Sequence, residues 1–116
     1  MHEVALSRQV ARIVSRNAAG REVLEIELEV GRLRQVVPEA LQFAWNAVRK
    51  NTLRGPAQLK ITQIPAVVNC RECNETTEMG EILDFRCQKC FSRDLQIISG
   101  EEFRVVSIEV TPLGKE

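Results

Sequence analysis

The chain has 116 residues, 44% of them apolar and 28% charged, with 16 Lys and Arg balancing 16 Asp and Glu. That length supports one compact domain, or a domain carrying a small metal-bound module, and zero net charge argues against a polyanion binder, which needs surplus Lys and Arg for phosphate. No apolar run approaches the ~20 residues that span a bilayer, no basic-then-apolar leader opens the chain and no low-complexity tract interrupts it, so the reading is a soluble cytoplasmic protein with neither nucleic acid nor membrane as partner.

The first periodic segment, residues 3–18, reads as an amphipathic helix with Leu6, Val10, Ile13 and Val14 on one stripe. Arg8, Arg12 and Arg16 form a second stripe, four apart. Such a row is most simply a solvated face; the alternative is a docking surface for an acidic partner. Asn17-Ala18-Ala19-Gly20 supplies a glycine stop. Residues 23–30 alternate, with Leu24, Ile26, Leu28 and Val30 opposite Glu25, Glu27 and Glu29, which predicts a half-buried strand that Gly31 ends. Pro38 suits a first helical position and Glu39 a first turn. Leu41, Ala44, Trp45 and Val48 then form the stripe of a second helix, with Trp45 as a core anchor.

After the turn at Gly55-Pro56, Leu59 and Ile61, then Ile64, Ala66 and Val68, suggest a second strand running into Cys70. Its phase slips near Gln63, and Pro65 marks an edge or a bulge. Leu95 to Ile98 predicts a short strand and Ser99-Gly100 a turn. Residues 103–110 predict a third core strand, buried on much of both faces. A strand–helix–strand unit implies a parallel, right-handed crossover. The expected fold class is therefore α+β: a small three-stranded mixed sheet with two helices on one face, plus an inserted zinc-ribbon module. The expected domains are residues 1–68 with 100–116, and residues 69–99, with joints near Val67–Asn69 and Ser99–Glu101.

All four cysteines, Cys70, Cys73, Cys87 and Cys90, lie within 21 positions as C-x2-C, thirteen residues, C-x2-C. A disulfide scaffold would spread its cysteines to staple distant segments and would follow a secretion signal. Two C-x2-C pairs instead suit a tetrahedral soft-metal site, each pair setting two thiolates on one knuckle. Spacing alone does not separate zinc from a rubredoxin-like iron centre. Large apolar residues are few between Cys70 and Arg93, so metal binding, on the order of 10 kcal/mol for such sites, would supply the folding energy. Four thiolates saturate zinc and leave no position for water or substrate, so the site reads as structural and the protein as a non-enzyme. From Cys70 to Asp94 six acids face four bases; with a zinc tetrathiolate the module is strongly negative and should repel phosphate.

The chain opens Met1-His2-Glu3, and His2 is its only histidine. A free Met1 amine, the following amide nitrogen and the His2 imidazole can close fused chelate rings on one ion. Such flat, nitrogen-rich donor sets favour Ni(II) or Cu(II) over zinc. The alternative is an ordinary frayed terminus. A planar site wants a fourth donor, for which the side chains of Glu3 and Glu39 are candidates by carboxylate chemistry.

Met1-His2-Glu3, the first amphipathic helix, the Glu-Val-Gly-Arg-Leu run at residues 29–33 and the paired C-x2-C motifs followed by a terminal hairpin together resemble the HypA/HybF nickel metallochaperones. The resemblance covers essentially the whole chain. It implies nickel held by the Met1 amine, His2 and the backbone amide of Glu3, with structural zinc on Cys70, Cys73, Cys87 and Cys90. It implies delivery of nickel during [NiFe]-hydrogenase maturation, in some organisms also to urease, with a HypB-type GTPase and the hydrogenase large subunit as partners. Some members carry His residues beside the zinc cysteines; this chain has none. The reading of another class is a zinc-ribbon interaction adaptor that carries no nickel. Redox dithiols rank lower still, because no neighbouring His is present to depress a thiol pKa.

Overall fold

The computed structural model describes residues 2–112. In order, these form α1 (His2–Ala18), β1 (Val23–Gly31), a 3-10 turn (Arg32–Arg34), α2 (Pro38–Arg49), β2 (Gln58–Ile64), β3 (Val67–Cys70), β4 (Thr76–Glu78), β5 (Leu95–Ser99) and β6 (Phe103–Val110). They fall into two compact units. The first is drawn from the described residues of Met1–Glu29, Val36–Thr62 and Arg104–Glu116; the second is Val30–Gln35 with Gln63–Phe103.

In the first unit the sheet order is β2-β1-β6. Contacts from β1 to the β2 side rise together in number, from Val23 with Ala57 to Glu25 with Lys60, so that pair is parallel. Contacts to β6 run the other way: Glu29 meets Arg104, Glu27 meets Ser107, and Glu22 meets Thr111. The sheet is therefore mixed, with α2 as the crossover. β1 buries Ile26 and Leu28, while Glu27 stays exposed. α1 buries Leu6, Val10, Ala11, Val14 and Ala18, and α1 and α2 pack against each other. Trp45 is buried and its indole N–H donates to the Ala57 carbonyl at 2.8 Å, fixing the turn before β2.

Both helices end as their residues dictate. Ala19 takes the first left-handed position after α1 and Gly20 the second. The Arg21 guanidinium donates to the carbonyls of Ala18 and Asn17 at this helix end, where the Arg21 backbone N–H also meets Ala18 O. Pro38 opens α2 at its first position, and the preceding Val37 offers no side-chain cap. Glu3 of α1 fills that role, accepting the Val37 N–H at 3.4 Å, as the third-position Glu of a capping box would do.

Two expectations are corrected here. The run through Ile64 and Val68 is not one bulged strand. Pro65 has no N–H to continue a ladder, and the chain leaves the first sheet there to begin the second, with β3 as its central strand. β6 is not buried on both faces: none of its residues is buried and Val106 is half-exposed, because β6 lies at a sheet edge. Its regular alternation of apolar side chains gave no sign of that position.

The second unit holds an antiparallel sheet in the order β4-β3-β5, with Val68 opposite Thr77 on one side and Ile97 on the other. Its apolar core is small: Ala66, Val68 and Met79, joined by the partly buried Leu33, Leu83 and Leu95. Gly31 and Gly100 come together at its base. A Cβ on Gly31 would lie 1.9 Å from the Gly100 carbonyl oxygen, so only glycine fits. Hydrogen bonds from Gly31 N to Glu102 O and from Leu33 N to Gly100 O, 2.7 and 2.8 Å, hold this approach.

Candidate metal centre

The four cysteines converge in the second unit. Their sulfurs all lie within 4.8 Å of one another, with Cys70–Cys90 at 3.6 Å and Cys73–Cys87 at 3.5 Å. Zn–S bonds of about 2.3 Å place tetrahedral sulfurs about 3.8 Å apart, so this cluster fits one zinc ion. All four thiols are free of disulfides.

Two copies of one local motif build the cluster. In the first, Cys70 N donates to Glu75 O and Asn74 N donates back to Cys70 O, both at 2.8 Å. In the second, Cys87 N donates to Ser92 O at 2.8 Å and Phe91 N to Cys87 O at 2.9 Å. The residue four after each leading cysteine is left-handed, Asn74 at φ 65° and Phe91 at φ 63°. That reversal brings the chain back to pair with the leading cysteine's backbone, and amides in the turn before it point at the leading sulfur. Cys87 Sγ accepts N–H bonds from Lys89 and Cys90 at 3.3 and 3.4 Å, and Cys70 Sγ accepts one from Cys73 at 3.5 Å. β3 leads directly into the first knuckle, and the Arg71 N–H bond to Asp94 O ties that knuckle to the segment leading into β5.

These contacts sort the thiols. The amides of Cys90 and Lys89 pull the Cys87 thiol down to about 6, so it is largely a thiolate at neutral pH. At Cys73 the Glu75 amide pulls down, but desolvation and the three neighbouring thiols outweigh it and push the group up to about 12. Cys90 is also raised: the Ser92 amide lowers it, and burial with the Cys70 thiol raises it more. Sulfurs this close cannot all carry charge without a cation. Zinc supplies that charge, and as a closed four-sulfur centre it holds the fold together without an open position for chemistry.

The residues read as a nickel site occupy the first unit, apart from Met1, which lies outside the described residues. His2 is exposed at the first position of α1. Glu3 lies beside the start of α2, and its carboxyl is held below the usual range, first by its own backbone amide and then by that of Val37. Glu39 is exposed in the first turn of α2. Among the described residues the four cysteines are the one cluster of three or more metal-donor side chains. His2, Glu3 and Glu39 form no such cluster, so a site there would need backbone nitrogens.

A family model described as "Hydrogenase/urease nickel incorporation, metallochaperone, hypA" matches residues 1–110. The chain belongs to the HypA family. Among its relatives, the hydrogenase maturation factor HypA of Desulfatibacillum aliphaticivorans is 40% identical over 95% of this chain and 87% of its own length. That of Geobacter metallireducens is 36% identical over 95% of this chain and 99% of its own. The solution structure of the Ni metallochaperone HypA from Helicobacter pylori shares the fold, with a TM-score of 0.59 over 92% of each chain at 17% identity. The HypA relatives are named as maturation factors, not as catalysts. No described helix is long and apolar enough to cross a membrane.

The sequence did not announce the Gly31–Gly100 approach or the repeated knuckle. Gly31 lies within the Glu-Val-Gly-Arg-Leu run at residues 29–33, and its approach to Gly100 leaves no room for a side chain. The αL positions fall on Asn74 and on Phe91, and a Phe gives no hint of a left-handed turn.

Proposed function

We propose that this HypA protein is a cytoplasmic carrier that binds Ni(II) through its N-terminal nitrogens and passes it to a hydrogenase precursor. The Met1 amine, the His2 amide and the His2 imidazole form a flat nitrogen set suited to that ion. The observation that carries this reading is the exposure of His2 at the open end of α1, while every clustered sulfur is committed to the closed centre. Glu3 has only its amide to offer, because its carboxylate already caps α2; that amide, Glu39 or a group from the partner supplies the fourth donor. Incomplete coordination by the carrier speeds release, since a fully caged ion leaves slowly.

The recipient is the large subunit of a [NiFe]-hydrogenase, with a HypB-type GTPase assisting. Because the family description pairs hydrogenase with urease, urease is a second client to assay. The test is a Ni(II) titration of untagged, zinc-loaded protein against His2→Ala and against a variant with one residue added before Met1. Wild type should bind one nickel per chain beside its zinc, and both variants should lose it. Equal affinity and stoichiometry in all three would refute the N-terminal site and leave a zinc-ribbon adaptor. The extension is the sharper variant, because it moves the amine while keeping the imidazole.

A further inference from the structure

A groove of about 1080 Å³ runs along the seam between α1 and α2. Glu3 and Ala40 line one end, and Arg16 with Asn51 and Thr52 lines the other. The two helices therefore run side by side in the same direction. From Glu3 to Arg16 at 1.5 Å per residue, the groove is about 20 Å long, or nearly four helical turns. It exists because the α2 wall is built from small residues, Ala40, Ala44 and Ala47, between which Phe43 and Val48 stand.

Two features of its walls have no role in the fold. Phe43 is 81% exposed although it sits mid-helix. An aromatic ring held in water beside other apolar side chains marks a surface made for contact. On the opposite wall Arg8, Arg12 and Arg16 stand one turn apart, all exposed. None of the three takes part in an ion pair or hydrogen bond among the described residues. The one acid lining the groove is Glu3, at its end and already bonded to Val37 N. The seam is thus an apolar trough with a cationic rail.

We propose that this groove docks an acidic amphipathic helix of a partner protein. The partner's apolar stripe would cover Phe43 and Val48. Asp or Glu side chains spaced three or four apart would meet Arg8, Arg12 and Arg16 in register, because both helices share the same repeat. A phosphate backbone would match the rail but gain nothing from the apolar trough, and a flat membrane cannot enter a concave seam. Zero net charge further weakens both. The Glu3 end of the groove adjoins His2, so a docked partner reaches the mouth of the nickel site. Docking itself needs no metal, and the two proposals fail separately.

The test uses a synthetic, labelled helical peptide of about four turns with Leu on one stripe and Glu on the next, read by fluorescence anisotropy against the zinc-loaded full chain. Wild type should bind it, with backbone NMR shifts confined to α1 and α2. Arg8→Glu/Arg12→Glu/Arg16→Glu, all at exposed positions, should weaken it by about tenfold or more and should instead bind the Lys version of the peptide. Phe43→Ser should weaken binding of both peptides. His2→Ala should leave it unchanged. Failure of wild type to bind, equal binding by the charge-reversed variant, a groove covered by a second copy of the chain in solution, or tighter capture of duplex RNA or anionic vesicles through the same arginines would each overturn the proposal.

Discussion

Gly31→Ala is the sharpest perturbation of the frame that holds the zinc module. Its Cβ would lie 1.9 Å from Gly100 O, 2.1 Å from Gly100 C and 2.6 Å from Glu101 N, all backbone atoms. Ordinary contact therefore requires the 100–101 segment to retreat by roughly 1 Å or more. Room beside Gly100 is short on one side, where Ala66 Cα and Leu33 Cγ lie 2.9 and 3.1 Å from the position its Cβ would take. The segment can yield only by giving up the hydrogen bonds Gly31 N to Glu102 O and Leu33 N to Gly100 O. Two such bonds at about 1 kcal/mol each, with disturbed packing around Ala66, put the loss at about 3 kcal/mol. The assay is urea unfolding of zinc-saturated protein, where this loss lowers the midpoint by about 1–3 M. Two controls separate crowding from other effects of a new methyl group. Gly20 has open space but φ +83°, so Gly20→Ala should cost about 1 kcal/mol. Gly80 has open space and no left-handed backbone, so Gly80→Ala should stay within about 0.5 kcal/mol of wild type. If Gly31→Ala were no worse than Gly80→Ala, the steric reasoning would be wrong.

Ser7 is fully buried in α1, and its hydroxyl has no partner among the described residues. Ser7→Ala should therefore raise stability by about 1 kcal/mol in the same unfolding assay. Trp45→Phe should lower it by about 2 kcal/mol, since it strands the buried Ala57 carbonyl and leaves a void. Stripping zinc with a chelator should collapse amide protection in β3, β4 and β5, because Ala66, Val68 and Met79 make too small a core. Zinc affinity should fall as pH falls, because Cys73 and Cys90 hold protons that zinc must displace. The fall should steepen below about 6, where Cys87 takes up a proton too, and a competition titration across pH 5–8 reads both regimes.

Much of the fold could be read from periodicity. α1, β1 and α2 begin and end within one or two residues of expectation, because each has a strong apolar stripe and a clear boundary: the Ala19–Gly20 reversal after α1, Gly31 at the end of β1 and Pro38 at the start of α2. The four cysteines needed only their spacing. What failed depended on tertiary position. Pro65 signals that a ladder stops, not that the next strand joins a different sheet. The alternation in β6 is identical whether a third layer covers it or solvent does. The meeting of Gly31 with Gly100 depends on a chain path 69 positions long, which no local pattern encodes. The α1–α2 groove was half legible: the Arg row is plain in the sequence, but Ala40, Ala44 and Ala47 read as helix formers until two helices lie side by side.

The proposed carrier holds its cargo on nitrogen and not on sulfur. The most direct measurement is nickel-edge X-ray absorption on untagged protein loaded with one zinc and one nickel. The N-terminal site should give a planar shell of nitrogen and oxygen donors with an imidazole signature that His2→Ala abolishes. Nickel–sulfur scattering, or a spectrum unchanged by His2→Ala, would contradict it.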